Sequence, residues 1–96
     1  MNLYVILRRH GWATSEELQA AARRSVEDGE RRSDRVRWIR SYVLAEQAGG
    51  LGTACVYEAV SPEAVREHSA AAGLPCDEVI EVADTVVARE DPVRTG

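Results

Sequence analysis

The sequence predicts an α+β sandwich in the order strand, helix, strand, strand, helix, strand: a four-stranded antiparallel sheet with two helices on one face. Three observations predict it. Two helical stretches have marked starts at Thr14 and Ser61. Each is flanked by runs of β-branched and aromatic residues. The two middle runs are joined by a glycine-rich link suited to a hairpin. With 96 residues there is room for one core and no second domain.

Leu3 to Arg9 holds β-formers without helical periodicity and is followed by the breaker Gly11, so it reads as the first strand. The charges of this stretch follow the apolar run and no small-residue cleavage site comes next, so a strand is expected rather than a signal peptide. Thr14 as N-cap with Glu17 three residues on makes a capping box, and Glu16 and Glu17 sit at the positive end of the helix dipole. Leu18, Ala21, Ala22, Ser25 and Val26 then form a narrow, Ala-rich inward stripe, with Gln19, Arg23, Arg24 and Glu27 outside. Gly29 to Arg35 reads as a fraying helix end and a solvated loop.

Val36 to Leu44 is the second strand. Strict alternation sends Trp38, Arg40 and Tyr42 one way and Arg37, Ile39, Ser41 and Val43 the other. Ala45 to Gly52 is the hairpin link, and Thr53 to Glu58 is the third strand. If Ala54 and Val56 face the helices, Cys55 and Tyr57 join Trp38, Arg40 and Tyr42 on the helix-free face. The second helix has Ser61 as N-cap, Pro62 at its first position and Gly73-Leu74-Pro75 as its stop. Its inward stripe is Ala64, Val65, His68, Ser69 and Ala72, with His68 at the edge. Glu78 to Arg89 alternates as a last strand, which sets a single domain over 1–89 and a disordered tail over 90–96.

This order, with each helix a crossover, is the ferredoxin-like βαββαβ arrangement. Both helices then cover one sheet face. A helix-free face carrying Trp, Tyr and Cys is too apolar to leave in water, so a homodimer through that face, a dimeric α+β barrel, is expected.

Composition excludes some functions. The net charge is −4 and all twelve basic residues are Arg, interleaved with Asp and Glu, so the basic stripe that nucleic acid requires is missing. The absence of Lys is what codon bias in a GC-rich genome produces. No stretch approaches the roughly 18 apolar residues of a membrane span. Two cysteines in different contexts suit free thiols in a cytoplasmic protein.

Few residues can carry chemistry. There is no CxxC, HExxH, phosphate loop or nucleophile elbow. Imidazole and thiolate together suit borderline divalent metals, which makes Cys55, His68 and His10 the candidate metal ligands. Taken singly each has an ordinary use: a buried Cys as a small hydrophobe, a helix His as a hydrogen-bonded core residue, His10 as an exposed strand end. Cys76, beside Pro75, is expected to be incidental.

The segments VRWIRSYV and ACVYEAVSPEAVREHSAAAGLPCDEVIEV resemble a family of small bacterial ferredoxin-like proteins, a domain-of-unknown-function family with a nickel-binding member. The matching features are Cys55 to Ala59, the Pro-capped helix ending Arg66-Glu67-His68, and Gly73 to Pro75. The resemblance covers Val36 to Val82. It implies a dimeric protein that binds nickel, in sequestration or homeostasis, with Cys55 and His68 as the matching metal-capable positions; His10 rests on chemistry alone. The alternative is a dimeric α+β-barrel enzyme or binder, with a small aromatic or anionic ligand between two open sheets. Trp38, Arg40, Tyr42 and Tyr57 would line that cavity, Arg40 would hold a carboxylate, and His68 would serve as general base. These four residues equally suit a plain dimer core.

Overall fold

The computed structural model describes residues 1–93. Its elements are β1 (Asn2–Trp12), α1 (Ser15–Arg31), β2 (Val36–Ala45), β3 (Leu51–Ala59), α2 (Pro62–Ala72) and β4 (Glu78–Glu81). The sheet order is β2-β3-β1-β4 with every neighbouring pair antiparallel, the ferredoxin-like arrangement. The expected fold class is borne out.

Both helix starts form as the sequence dictates. Thr14 Oγ1 accepts from Glu17 N at 3.2 Å, while Glu17 Oε2 accepts from Ala13 N at 2.7 Å. Ser61 Oγ accepts from Ala64 N at 3.2 Å ahead of Pro62. At the other end Gly73 takes φ 68°, which lets Leu74 N reach back to Ser69 O at 2.8 Å and close α2. Helix α1 runs on to Arg31, three residues into the stretch expected to be frayed.

The helix-covered face holds the core: Tyr4 and Ile6 of β1, Val36 of β2, Cys55, Tyr57 and Ala59 of β3, and Ala64 and Val65 of α2. This corrects the expected faces. In β3 the parity is the reverse of expectation: Cys55 and Tyr57 lie under the helices, while Ala54 and Val56 lie on the helix-free side opposite Leu7 and Val5. The reason is complementarity of size. Both helices present mainly Ala and Ser inward, so bulky side chains must come from the sheet to fill the layer. In β2 the register shifts between Trp38 and Arg40. That irregularity at Ile39 breaks the alternation, so Trp38 sits opposite Tyr57 on the helix side while Arg40 and Tyr42 sit opposite Val56 and Ala54 on the other.

Two further expectations change. The inward stripe of α1 is Ala21, Ser25 and Asp28, whereas Val26 is exposed. The last strand ends at Glu81 rather than Arg89. β4 pairs only with β1, and Val82 N already bonds Leu3 O, so the partner strand runs out one residue beyond. Residues 82–93 carry no regular structure, and the last three residues of the expected tail, 94–96, lie outside the described residues.

Candidate functional site

A polar cluster lies buried between the helices and the sheet. Positions 21, 25 and 28 of α1 share one face and point Ser25 and Asp28 at α2 and β3. The α2 stripe delivers His68, which is 0% exposed, to the same place. His68 Nδ1 lies 2.7 Å from Asp28 Oδ2, and Nε2 lies 3.2 Å from Ser25 Oγ and 3.3 Å from Tyr57 OH. Ser25 Oγ and Tyr57 OH are themselves 3.0 Å apart. Arg32 closes the cluster, with Nε 2.8 Å from Asp28 Oδ2; its N–H is not aligned on that oxygen, so this is a charge contact.

The electrostatics fix the protonation. Burial works against a charge on Asp28, but the contacts with His68 and Arg32 outweigh it and hold the carboxyl below its ordinary pKa. Burial is also the largest influence on His68; with Arg8 and Arg32 adding to it, it outweighs the pull of Asp28 and lowers the imidazole pKa. The ring is therefore neutral beside an ionised carboxylate. An ionised carboxylate only accepts, so Nδ1 carries the proton and Nε2 presents a lone pair to the two hydroxyls. Burial likewise raises the Tyr57 phenol, which stays protonated.

The Asp28–His68–Ser25 connectivity is that of a charge relay. Ser25 however sits in the middle of α1, where the backbone amides are committed to the helix, and an oxyanion would find no donors there. What the arrangement does is orient one imidazole nitrogen, the role a carboxylate plays behind a metal-ligating histidine.

Beside the cluster are two hollows, of about 280 and 270 Å³. Ser25, Trp38 and Tyr57 line both. Trp38 and Tyr57 are parallel within 10°, their centroids 6.3 Å apart, and the indole Nε1 donates to Ser41 Oγ at 2.8 Å. Arg8 lines the larger hollow from below. Its Nη1 donates to Ser69 Oγ at 3.0 Å and to Pro75 O at 2.6 Å, and its Cζ lies 5.9 Å from the Tyr57 ring centroid.

The candidate residues from the sequence divide among three places. Cys55 is buried on the helix side, its Sγ–H donating to Thr53 Oγ1 at 3.2 Å. It precedes Tyr57 by two residues on the same face, and Tyr57, not Cys55, contacts His68. His10 lies at the far end of β1, with φ 50° and Nε2 3.7 Å from Glu46 Oε2. Glu46 there accepts from Arg9 Nε and Nη2, both at 2.9 Å, and from His10 N at 3.1 Å. The Arg9 hydrogen bonds, then the His10 amide, pull its pKa down to about 2. Cys76 packs half-buried against the core. Arg40 and Tyr42 remain on the helix-free face, where Tyr42 OH donates to Asp91 at 2.7 Å and Arg40 lies 3.7 Å from the same carboxylate. Trp38 and Tyr57 are not with them. Among the described residues no three His, Cys, Asp or Glu side chains converge on one point.

Sequence reasoning missed Arg8 and Asp28. Both left a signal. Arg8 has the parity of Tyr4 and Ile6 in β1, and Asp28 follows Ala21 and Ser25 at helical spacing. A charged residue on an inward stripe marks a paired or functional group.

A four-stranded antiparallel sheet backed by two helices, with a carboxylate-oriented histidine in the layer between, defines a small ferredoxin-like domain built around an imidazole. Residues 4–82 match the family model described as nickel responsive protein SCO4226-like, and the chain belongs to that family. The resemblance read from Val36 to Val82 thus extends back through β1. Among solved structures, the crystal structure of SCO4226 from Streptomyces coelicolor A3(2) is similar, with a TM-score of 0.67 and 25% identity over 88% of this chain and 99% of that one. No curated protein matches. Among the described residues no helix is long and apolar enough to cross a membrane.

Proposed function

We propose that this chain is a cytoplasmic homodimer that binds nickel as cargo, in sequestration or homeostasis of the metal. The nickel-responsive character of the family supports a nickel-related role. The observation that carries binding is the Asp28–His68 pair: a buried carboxylate 2.7 Å from Nδ1 leaves Nε2 as the basic nitrogen, which is how proteins prepare a histidine ligand. Cys55, two residues before Tyr57 on the same face of β3, is the soft donor, and His10 beside Glu46 is a second, exposed imidazole. Cys55 and His68 lie on the helix side of the sheet, away from the helix-free face, so the rest of the coordination shell comes from solvent reaching them through the two hollows, one lined by Cys55 and the other by His68. The helix-free face fits a second copy. Leu3, Val5, Leu7, Ala54, Val56 and Ile80 form an apolar strip across three strands, none of it covered by a helix.

Calorimetric titration of metal-free protein with Ni²⁺ tests this, on wild type, His68→Ala, Cys55→Ser and His10→Ala, with circular dichroism to show that each is folded. Affinity is expected to fall at least ~10-fold on losing His68 or Cys55, since each removes a ligand. Equal affinity in all four refutes the assignment. Sedimentation at micromolar protein should give a dimer; a monomer with and without nickel refutes the interface.

A further inference from the structure

We infer that the larger hollow, between α1 and the β2–β3 side of the sheet, is a binding site for a small aromatic monocarboxylic acid whose carboxylate pairs with Arg8. Arg8 is 1% exposed, yet among the described residues it has no carboxylate within ion-pair distance. Its two acceptors, Ser69 Oγ and Pro75 O, are both neutral, and both bind Nη1. Nη2 is buried without any hydrogen-bond partner. The C-terminal end of α2 offers about half a negative charge, too little to balance a full cation. The other buried carboxylates do not help: Asp28 is held between His68 and Arg32, and Glu46 is paired with Arg9. This layer therefore carries one guanidinium charge in excess, and removal from water makes an unmatched charge unfavourable.

The hollow beside Arg8 has the shape and lining of the rest of such a ligand. At about 280 Å³ it lies just below the range of pockets for drug-sized molecules and suits one ring system with a short side chain. The walls away from Arg8 are mainly apolar or aromatic, with Leu18 and Ala22 from α1 and Trp38 and Val43 from β2, and their polar members Gln19, Ser25, Ser41 and Thr53 are uncharged. Its width follows from the sequence, since Ala at 21 and 22 leaves empty what a larger residue on the stripe would fill. Trp38 keeps 40% exposure at the mouth, a flat surface against which an aromatic ring stacks. Nη1 anchors the guanidinium in place before any ligand arrives, so the two N–H groups of Nη2 remain for an incoming oxygen. A single cation and otherwise uncharged walls select a monoanion over a dicarboxylate or a phosphate.

The test uses the full chain with a chelator present, so it is independent of nickel. Phenylacetate and indole-3-acetate are titrated by calorimetry and by fluorescence of Trp12 and Trp38, which both line the hollow. Phenylacetamide and indole-3-acetamide serve as neutral isosteres. The acids are expected to saturate and to bind at least ~10-fold more tightly than the amides, as a charge-assisted contact requires. Arg8→Gln should abolish that preference, and Ala22→Phe, which fills the hollow, should abolish binding of acid and amide alike. No saturable binding of either acid, equal binding of acid and amide, or a preference retained in Arg8→Gln each overturns the inference. If Arg8→Gln does not fold, the acid–amide comparison on wild type and the loss in Ala22→Phe decide it.

Discussion

Replacing His68 by Ala should cost this domain a large part of its stability. The ring is fully buried and contacts three polar partners, of which only two can satisfy each other: Ser25 Oγ and Tyr57 OH already lie 3.0 Å apart. Asp28 cannot recover what it loses. Its hydrogen bond with Nδ1, at 2.7 Å, is a bond to a charged group, of a kind that contributes about 1.5–3 kcal/mol. The void left by the ring adds a penalty of the kind seen for large-to-small core changes, about 2–5 kcal/mol. The two overlap, because Arg32 still faces Asp28, so a total of about 3–4 kcal/mol is expected. A domain of this length has roughly 5–14 kcal/mol in all, so the variant folds but weakly, with Tm lowered by roughly 12–30 °C. Urea and thermal unfolding followed by circular dichroism measure this. A double-mutant cycle with Asp28→Ala should give a coupling of at least about 1.5 kcal/mol. A loss under about 1 kcal/mol, or additive effects, would refute the view that this pair holds α1 to α2. The pH dependence supplies a second check. Because the folded pKa of His68 lies below its ordinary 6.5, the unfolded chain takes up the proton first. Stability therefore falls as pH drops below about 6.5, and His68→Ala should flatten that slope.

Glu46→Gln should remove the steepest part of acid unfolding. The folded carboxyl, at about 2, contributes stability above its ordinary pKa of 4.5 that is lost as pH falls toward 2, and acid titration of wild type and variant will show whether the difference is confined to that window. Gly52→Ala should destabilise by about 1–3 kcal/mol, because an added Cβ would meet the Glu46 carboxylate and lie 2.6 Å from the Arg8 carbonyl oxygen. Urea unfolding measures it, and a neutral substitution would show that the backbones there are not in close approach.

The fold was legible because its signals are local. Thr14 with Glu17, and Ser61 with Pro62 and Gly73, mark helix ends through hydrogen bonds that close within a few residues. The α2 stripe of Ala64, Val65, His68, Ser69 and Ala72 is the buried set observed, since helical periodicity alone selects it. Sheet faces were harder to read. Period-two alternation tells which residues share a side but not which side is covered, and it fails where a strand is irregular. Ile39 is such a point: no local residue announces the shift that sends Trp38 to the helices and leaves Arg40 and Tyr42 opposite.

By itself, then, the sequence determined the element order, both helix starts, the end of α2 and the family to which the chain belongs, all consequences of short-range chemistry and of motif. Tertiary structure alone decided which face of β3 is buried, how far β4 can pair, and which polar groups meet. Asp28, His68, Ser25, Tyr57 and Arg8 come from two strands and two helices, and their protonation and partners exist only once those elements pack. Side-chain volume set that packing: Ala-rich helices required the sheet to turn its large residues inward, and the buried cluster formed where those residues had hydroxyl, imidazole and guanidinium groups to satisfy.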